Sequence, residues 1–361
     1  MAGKLKKILL QIIAGANVAT ILMMILTGYS GRINPVVHPL LACLGMAFAI
    51  FFFLNLLFLF FWLTFRVRGA IIPVIGFLLC YGPVRRYSPF NLSQKVPEKA
   101  IKVLSYNVEQ YGLFPPRNDT ASANPVIHYI AMSGADLVCL QEAGGLDRDS
   151  ADNIFRRIYP YSYHEEKTRS GDVVAIYSKF PMSRKKIIPY TSKGNISITC
   201  VLHIHGKEVL VVNNHFESNK LDPEDKADFK SLVKGGIVAD GGQEKSDRLI
   251  DKLSLAAATR APQVDSVANY ISTHRKGRSV IVCGDFNDNP ISYSLYRMSK
   301  GLTDCYVTTG NGPGWSYHRS GMLFRIDHIL CSTDWQPYRA KVDRKIKESD
   351  HYPIYCWLGP R

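Results

Sequence analysis

Hydrophobic positions divide the chain into two unlike parts. Residues 8–28 are almost uncharged and long enough to cross a bilayer. Residues 40–65 form a longer apolar stretch, rich in aromatics from Phe51 to Trp62, with Asn55 as its strongly polar group. A third stretch, 69–84, is shorter and interrupted by Pro73 and Gly76. A helix apolar on every side at this length is expected to lie in a membrane rather than in a core. The pattern therefore predicts a transmembrane anchor over 1–84, with helices at about 8–28, 40–65 and 69–84. A cleaved signal peptide does not fit, because two further apolar stretches follow and no small-residue cleavage site is seen. A polar, Pro-containing linker is expected over 85–99.

From Ala100 the pattern changes to short apolar runs of strand length. Strands are predicted at 101–108, 136–142, 172–179, 196–205, 207–215, 279–285, 325–331 and 351–358. Helical spacing occurs near 124–133 and from Leu249 to Tyr270 within a polar region, 222–275. Several strands follow one another without long crossovers, so the sheets should be largely antiparallel or mixed. Residues 100–361 then form one domain.

Charge refines the picture of the anchor. The first hundred residues carry ten Lys and Arg against one acid, Glu98, whereas the remaining 261 carry 34 against 29. The basic excess of the chain thus flanks the apolar stretches and reads as membrane-flanking charge rather than a nucleic-acid footprint. Lys4, Lys6 and Lys7 precede the first stretch and Arg66 and Arg68 follow the second, which places both on the cytoplasmic side. If the third stretch crosses, the domain is extracytoplasmic, which is the expected placement. The eight cysteines show no zinc spacing and sit mostly in apolar runs, as core thiols do. Three short spans with one notable polar group offer no ion pathway, so they read as an anchor.

The chemistry collects where the strands end. Val103–Val108 delivers Asn107, and Leu137–Glu142 delivers Gln141 and Glu142. Val209–His215 delivers Asn213 and His215, two apart and so on one face. Ser279–Asn289 is a buried-strand run broken at Gly284, followed by Asp285, Asn287, Asp288 and Asn289. Asp327 stands inside the apolar run Arg325–Ile329, and Asp350 and His351 precede the last strand. Singly, each has an ordinary reading as a strand-end cap, an Asx turn or a hydrogen-bonded His. Asp327 resists this, because a buried carboxylate needs a partner. Six such endings rich in carboxylate and amide oxygens, without thiol ligands, suit a hard divalent cation, Mg2+ or Mn2+.

The ordered set Ser105-Tyr-Asn-Val108, Leu140-Gln-Glu142, Asn213-Asn-His215, Gly284-Asp-Phe-Asn287, Arg325-Ile-Asp-His-Ile329 and Ser349-Asp-His-Tyr-Pro353 resembles the endonuclease/exonuclease/phosphatase superfamily over roughly residues 100–360. The resemblance implies an α/β fold, a four-layer α/β sandwich of two packed, mainly antiparallel sheets flanked by helices. It implies Glu142 as the main metal ligand with Asn107 beside it and Asp350 at the metal edge. Asp285 would orient and deprotonate the attacking water, and Asn287 would hold that water or a phosphate oxygen. His215 and His351 would donate to non-bridging oxygens, with Asp327 pairing His351. Asn213 and Arg169 are expected to contact substrate. The implied activity is metal-dependent phosphoester hydrolysis. The anchor directs it to a phosphodiester in a phospholipid or sphingolipid headgroup or in nucleic acid. The alternatives are a phosphomonoesterase and a non-catalytic scaffold that keeps the fold. The expected partners are the lipid bilayer and the phosphate-ester substrate, and no protein partner is inferred.

Overall fold

The computed structural model describes residues 2–112, 124–167, 173–233 and 242–361. Twelve strands build two six-stranded sheets. They are β1 (Ile101–Asn107), β2 (Leu137–Gln141), β3 (Tyr161–Glu166), β4 (Val173–Ser178), β5 (Met182–Ile188), β6 (Ser197–Ile204), β7 (Lys207–His215), β8 (Ser279–Asp285), β9 (Leu302–Asp304), β10 (Asp327–Ser332), β11 (Trp335–Val342) and β12 (Ile354–Pro360). The first sheet has the order β11-β12-β1-β2-β4-β3 and the second β5-β6-β7-β8-β10-β9. In each, one parallel pair, β1 with β2 and β7 with β8, lies among antiparallel neighbours.

The sheets face each other across a core of Val, Ile, Leu and Cys side chains. Helices Pro125–Met132 and Arg148–Phe155 cover the outside of the first sheet, and Gly242–His274 with Tyr293–Met298 covers the second. The result is the expected four-layer sandwich. β3, β5, β9 and β11 are additional to the predicted strands. β3 and β5 are edge strands with polar or half-exposed sequences, β9 has three residues, and β11 contains Pro337, so none carries a buried-strand pattern.

Two N-terminal segments, Gly3–Arg32 and Pro39–Phe65, are long and apolar enough to cross a membrane, and the pair Val67–Leu79 and Tyr81–Tyr87 qualifies as a third if taken together across its 73° bend. Buried amides tie the segments together. Asn17 donates to Asn55 at 3.0 Å and accepts from the Trp62 indole at 3.2 Å, while Asn55 donates to the Pro73 carbonyl at 3.0 Å. Apolar surroundings make these bonds obligatory rather than optional. The expected linker 85–99 begins within a helix and then meets the sandwich. The helix runs on to Tyr87, and Asn91 then binds the carbonyls of Val307 and Gly310 at 3.1 and 2.6 Å. Backbone and side-chain hydrogen bonds thus join this segment to the sandwich.

Candidate functional site

Strand register gathers the strand-end residues at one rim. In the first sheet Asn107 pairs with Gln141, which puts Glu142 one residue beyond. In the second, Asp285 pairs with His215 on one side and Asp327 on the other. A Cβ at Gly284 would collide with the Asn214 carbonyl, so only glycine allows β8 to lie this close to β7 just before Asp285. Glu142 and Asn287 both hold left-handed backbone, φ 53° and 51°, as do Glu109, Gln110 and Tyr111 directly after β1. Each such residue costs roughly 1–3 kcal/mol. Bonds from Gln110 N–H to the Glu142 carbonyl at 2.9 Å and from Gly112 N–H to the Val108 carbonyl at 3.0 Å hold the turn in place.

Asp285 is the centre of the site and is 1% exposed. Its Oδ2 lies 3.7 Å from Nε2 of both His215 and His351 and accepts from the Asn107 amide at 3.1 Å. Its Oδ1 accepts the Asn287 N–H at 2.7 Å. Burial raises its carboxyl pKa, and the two imidazoles work against that rise. His351 Nδ1 donates to Asp327 Oδ2 at 2.8 Å. Burial alone would lower the His351 pKa, but the Asp327 and Asp285 carboxylates outweigh it and hold the imidazolium well above its ordinary value. The other Asp327 oxygen has no hydrogen-bond partner among the described residues, so the pair is this carboxylate's main compensation.

Asp285, Asp327 and His351 present possible ligand atoms within 4.8 Å of one another. Asp327 and His351 are already bonded to each other through Oδ2 and Nδ1. The room for a cation is at the Glu142 edge, where the carboxylate lies 3.8 Å from His215 and lines a cavity of about 300 Å³ with Asp285 and Asp350. Hard oxygen donors predominate there, and two imidazoles and the Asn107 amide lie beside the Asp285 carboxylate. That donor chemistry fits a divalent cation.

The structure brings together Asn107, Glu142, His215, Asp285, Asn287, Asp327, Asp350 and His351, while Asn213 lies deeper between the sheets. Asn213 is fully buried. It donates to the Leu140 and Ala175 carbonyls, each at 2.9 Å, and accepts from Gln141 at 2.6 Å, so it staples the sheets and does not face substrate. Asn107 turns its NH2 to Glu142 (2.9 Å) and Asp285, while its oxygen accepts the Glu109 N–H at 3.1 Å. It bridges the two carboxylates. Asn287 lines the cavity and donates to the Phe216 carbonyl at 2.9 Å. Arg169 lies outside the described residues.

Sequence reasoning missed a second tier. Glu109 is buried, pairs with Arg319 and accepts the Asp350 N–H at 2.9 Å, which anchors the loop before β12. Burial and the Asp350 carboxylate raise its pKa, with Arg319 opposing. Its position two residues after Asn107, on the same strand-end path, was the available signal. Arg260 is likewise buried. It meets Asp288 at 3.1 Å and binds the Glu217 carbonyl and Asn219 at 2.8 and 2.6 Å, locking the loop after β7 to the loop after β8. Arg260→Met should lower unfolding free energy by about 3 kcal/mol, because it strands a largely buried carboxylate. Chemical denaturation of the full chain in detergent measures this, and a loss below about 1 kcal/mol would refute the lock.

Solved structures of known proteins share the fold. No curated protein matches the chain in sequence. Among solved structures, truncated TDP2 of Caenorhabditis elegans matches at 18% identity and TM-score 0.50, covering 72% of this chain and 97% of that one. The human nocturnin catalytic domain matches at 15% and 0.49, covering 75% and 97%. Sphingomyelinase C from Streptomyces griseocarneus matches at 18% and 0.49, covering 73% and 99%. A model for a domain of unknown function, DUF8431, matches residues 8–87. The model of the endonuclease/exonuclease/phosphatase family matches residues 104–351, from the first strand of the sandwich to the His351 of the buried pair, and the chain belongs to that family, whose members hydrolyse phosphoester bonds.

Proposed function

We propose that the protein is a membrane-tethered, divalent-cation-dependent phosphodiesterase. The observation that carries this reading is Asp285, a buried carboxylate between two imidazoles at the edge of a cavity that Glu142 and Asp350 also line. Asp285 Oδ2 orients a water and takes its proton as the water oxygen bonds to phosphorus. The P–O bond to the leaving group breaks, and the departing alkoxide is protonated from solvent. His351, kept cationic by Asp327, donates from Nε2 to a non-bridging oxygen as negative charge builds, with His215 on the other side. Glu142 and Asp350 would hold the cation, which supplies Lewis-acid stabilisation of the phosphoryl oxygens. Mg2+ suits these donors, with Mn2+ as a substitute. Chelator-stripped protein is expected to lose hydrolysis of bis(4-nitrophenyl) phosphate and to regain it on adding Mg2+. Undiminished activity after stripping would overturn the metal assignment. A parallel 4-nitrophenyl phosphate assay separates diester from monoester preference.

The same reading places the catalytic domain outside the cytoplasm. Two anchor segments support it by touching the sandwich: Gly31 and Gly45 pack on the Ile291 backbone, and Asn91 binds at 310. Arg66 and Arg68 lie at the opposite end of helix Phe48–Phe65. The third segment returns from Trp62, against which Gly69 packs, to Tyr29, whose hydroxyl donates to the Leu79 carbonyl at 2.7 Å. Three crossings with a cytoplasmic Arg66–Arg68 loop leave the sandwich on the far side. Protease added to intact cells should therefore cleave the sandwich and spare a tag at residue 1; the reverse pattern would overturn this topology.

A further inference from the structure

The active-site cavity does not belong to the sandwich alone. Pro35, Ala42 and Met46, from the turn between the first two membrane-length segments, line it together with Phe229, Leu253 and Phe324. These six apolar side chains face the end formed by Glu142, His215, Asp285 and His351. The turn is built into the domain. A Cβ at Gly31 would come within 2.5 Å of the Ile291 carbonyl, and Ile291 itself is packed in the anchor's own core with Met24, Phe48 and Cys80. Ile291 lies six residues after Asp285, so anchor and catalytic loop share one packed unit.

Beside the lining residues, Val36, Val37, Leu40 and Leu41 are 56, 65, 55 and 46% exposed. Leu255, on the long helix that packs against Pro39–Cys43, is 69% exposed. Exposed apolar side chains thus adjoin in sequence the anchor residues that line the cavity. Among the described residues the cations lining the cavity are largely paired: Lys220 pairs with Glu217 at 2.5 Å and Arg260 with Asp288 at 3.1 Å. Lys226, 5.9 Å over the Tyr317 ring, has no ion pair among the described residues. Among the described residues this cation can meet one headgroup phosphate, whereas a nucleic acid needs several such contacts.

We infer that the apolar half of the cavity is a tail-binding site, with the anchor's own turn as its wall, and that the substrate is a phosphodiester lipid drawn from the adjoining leaflet. This rests on the phosphodiesterase reading above. The acyl chains lie against Ala42 and Met46 while the headgroup phosphate reaches Asp285.

The test uses the full chain with diacyl phosphocholines from butanoyl to heptanoyl, each below its micellar concentration. Short-chain sphingosine-based phosphocholines, DNA and the tail-free bis(4-nitrophenyl) phosphate complete the panel. The expected result is a rise in kcat/KM of about fourfold per buried methylene until the site is full, mainly through KM. The glycerol and sphingosine arms show which lipid backbone is taken. Ala42→Trp should flatten that slope, and Met46→Ala should move the optimum to longer tails. A flat series with bis(4-nitrophenyl) phosphate still hydrolysed, or a higher kcat/KM for DNA, would overturn the tail site and leave the phosphodiesterase reading standing. Failure to hydrolyse any diester would instead overturn that reading. Affinities of alkylphosphonates of increasing length, measured calorimetrically, would then decide the tail site alone: rising affinity supports it and constant affinity refutes it.

Discussion

Asp285→Asn is expected to lower kcat for any diester by about 10²–10⁴-fold, the range for loss of a positioned general base. The amide keeps the volume of the carboxylate and still offers an oxygen to the Asn287 N–H. It cannot accept the water proton. Burial already penalises the charge on Asp285, so the neutral amide should not destabilise the fold. Thermal unfolding of the variant should match or exceed that of the wild type while turnover collapses. A variant that turns over within tenfold of wild type would remove Asp285 from the role of base.

His351→Ala should fail in both respects. Loss of one positioned donor to the developing charge is worth about 10²–10³ in kcat. The substitution also strands Asp327, which is 1% exposed and, among the described residues, bonded through Oδ2 only to His351. Breaking such a buried pair costs about 3–5 kcal/mol. Adding Asp327→Asn to this variant removes the stranded charge, so the double variant should recover most of the stability and none of the activity. Denaturation and turnover on the same preparations separate the two effects. If the single variant unfolds like the wild type, the pair does not bear the burial energy assigned to it.

The anchor's turn shows where reading from sequence stops. Pro35, Ala42 and Met46 belong to a segment legible only as the connection between two apolar stretches. Their place in the active-site wall depends on the docking of Gly31 and Gly45 against Ile291, a contact between residues more than 240 positions apart. Likewise Glu109 and Arg319 are unremarkable alone and meet only when β1 and the loop before β10 reach the same rim.

What the sequence determined by itself was the class of fold and the inventory of chemistry. Apolar periodicity is local, so the strands β1, β2, β7 and β8 and their polar termini could be read from the chain. Motif order then identified the family. The tertiary structure decided which of those polar groups turn toward the cavity. Asn213 and His215 share a face of one strand, yet Asn213 lies deep enough to spend its donors on the facing sheet, while His215 reaches the mouth beside Asp285. Period-two alternation gives the face of a residue but not its depth between two sheets, and depth determines whether its hydrogen bonds go to protein or remain for substrate.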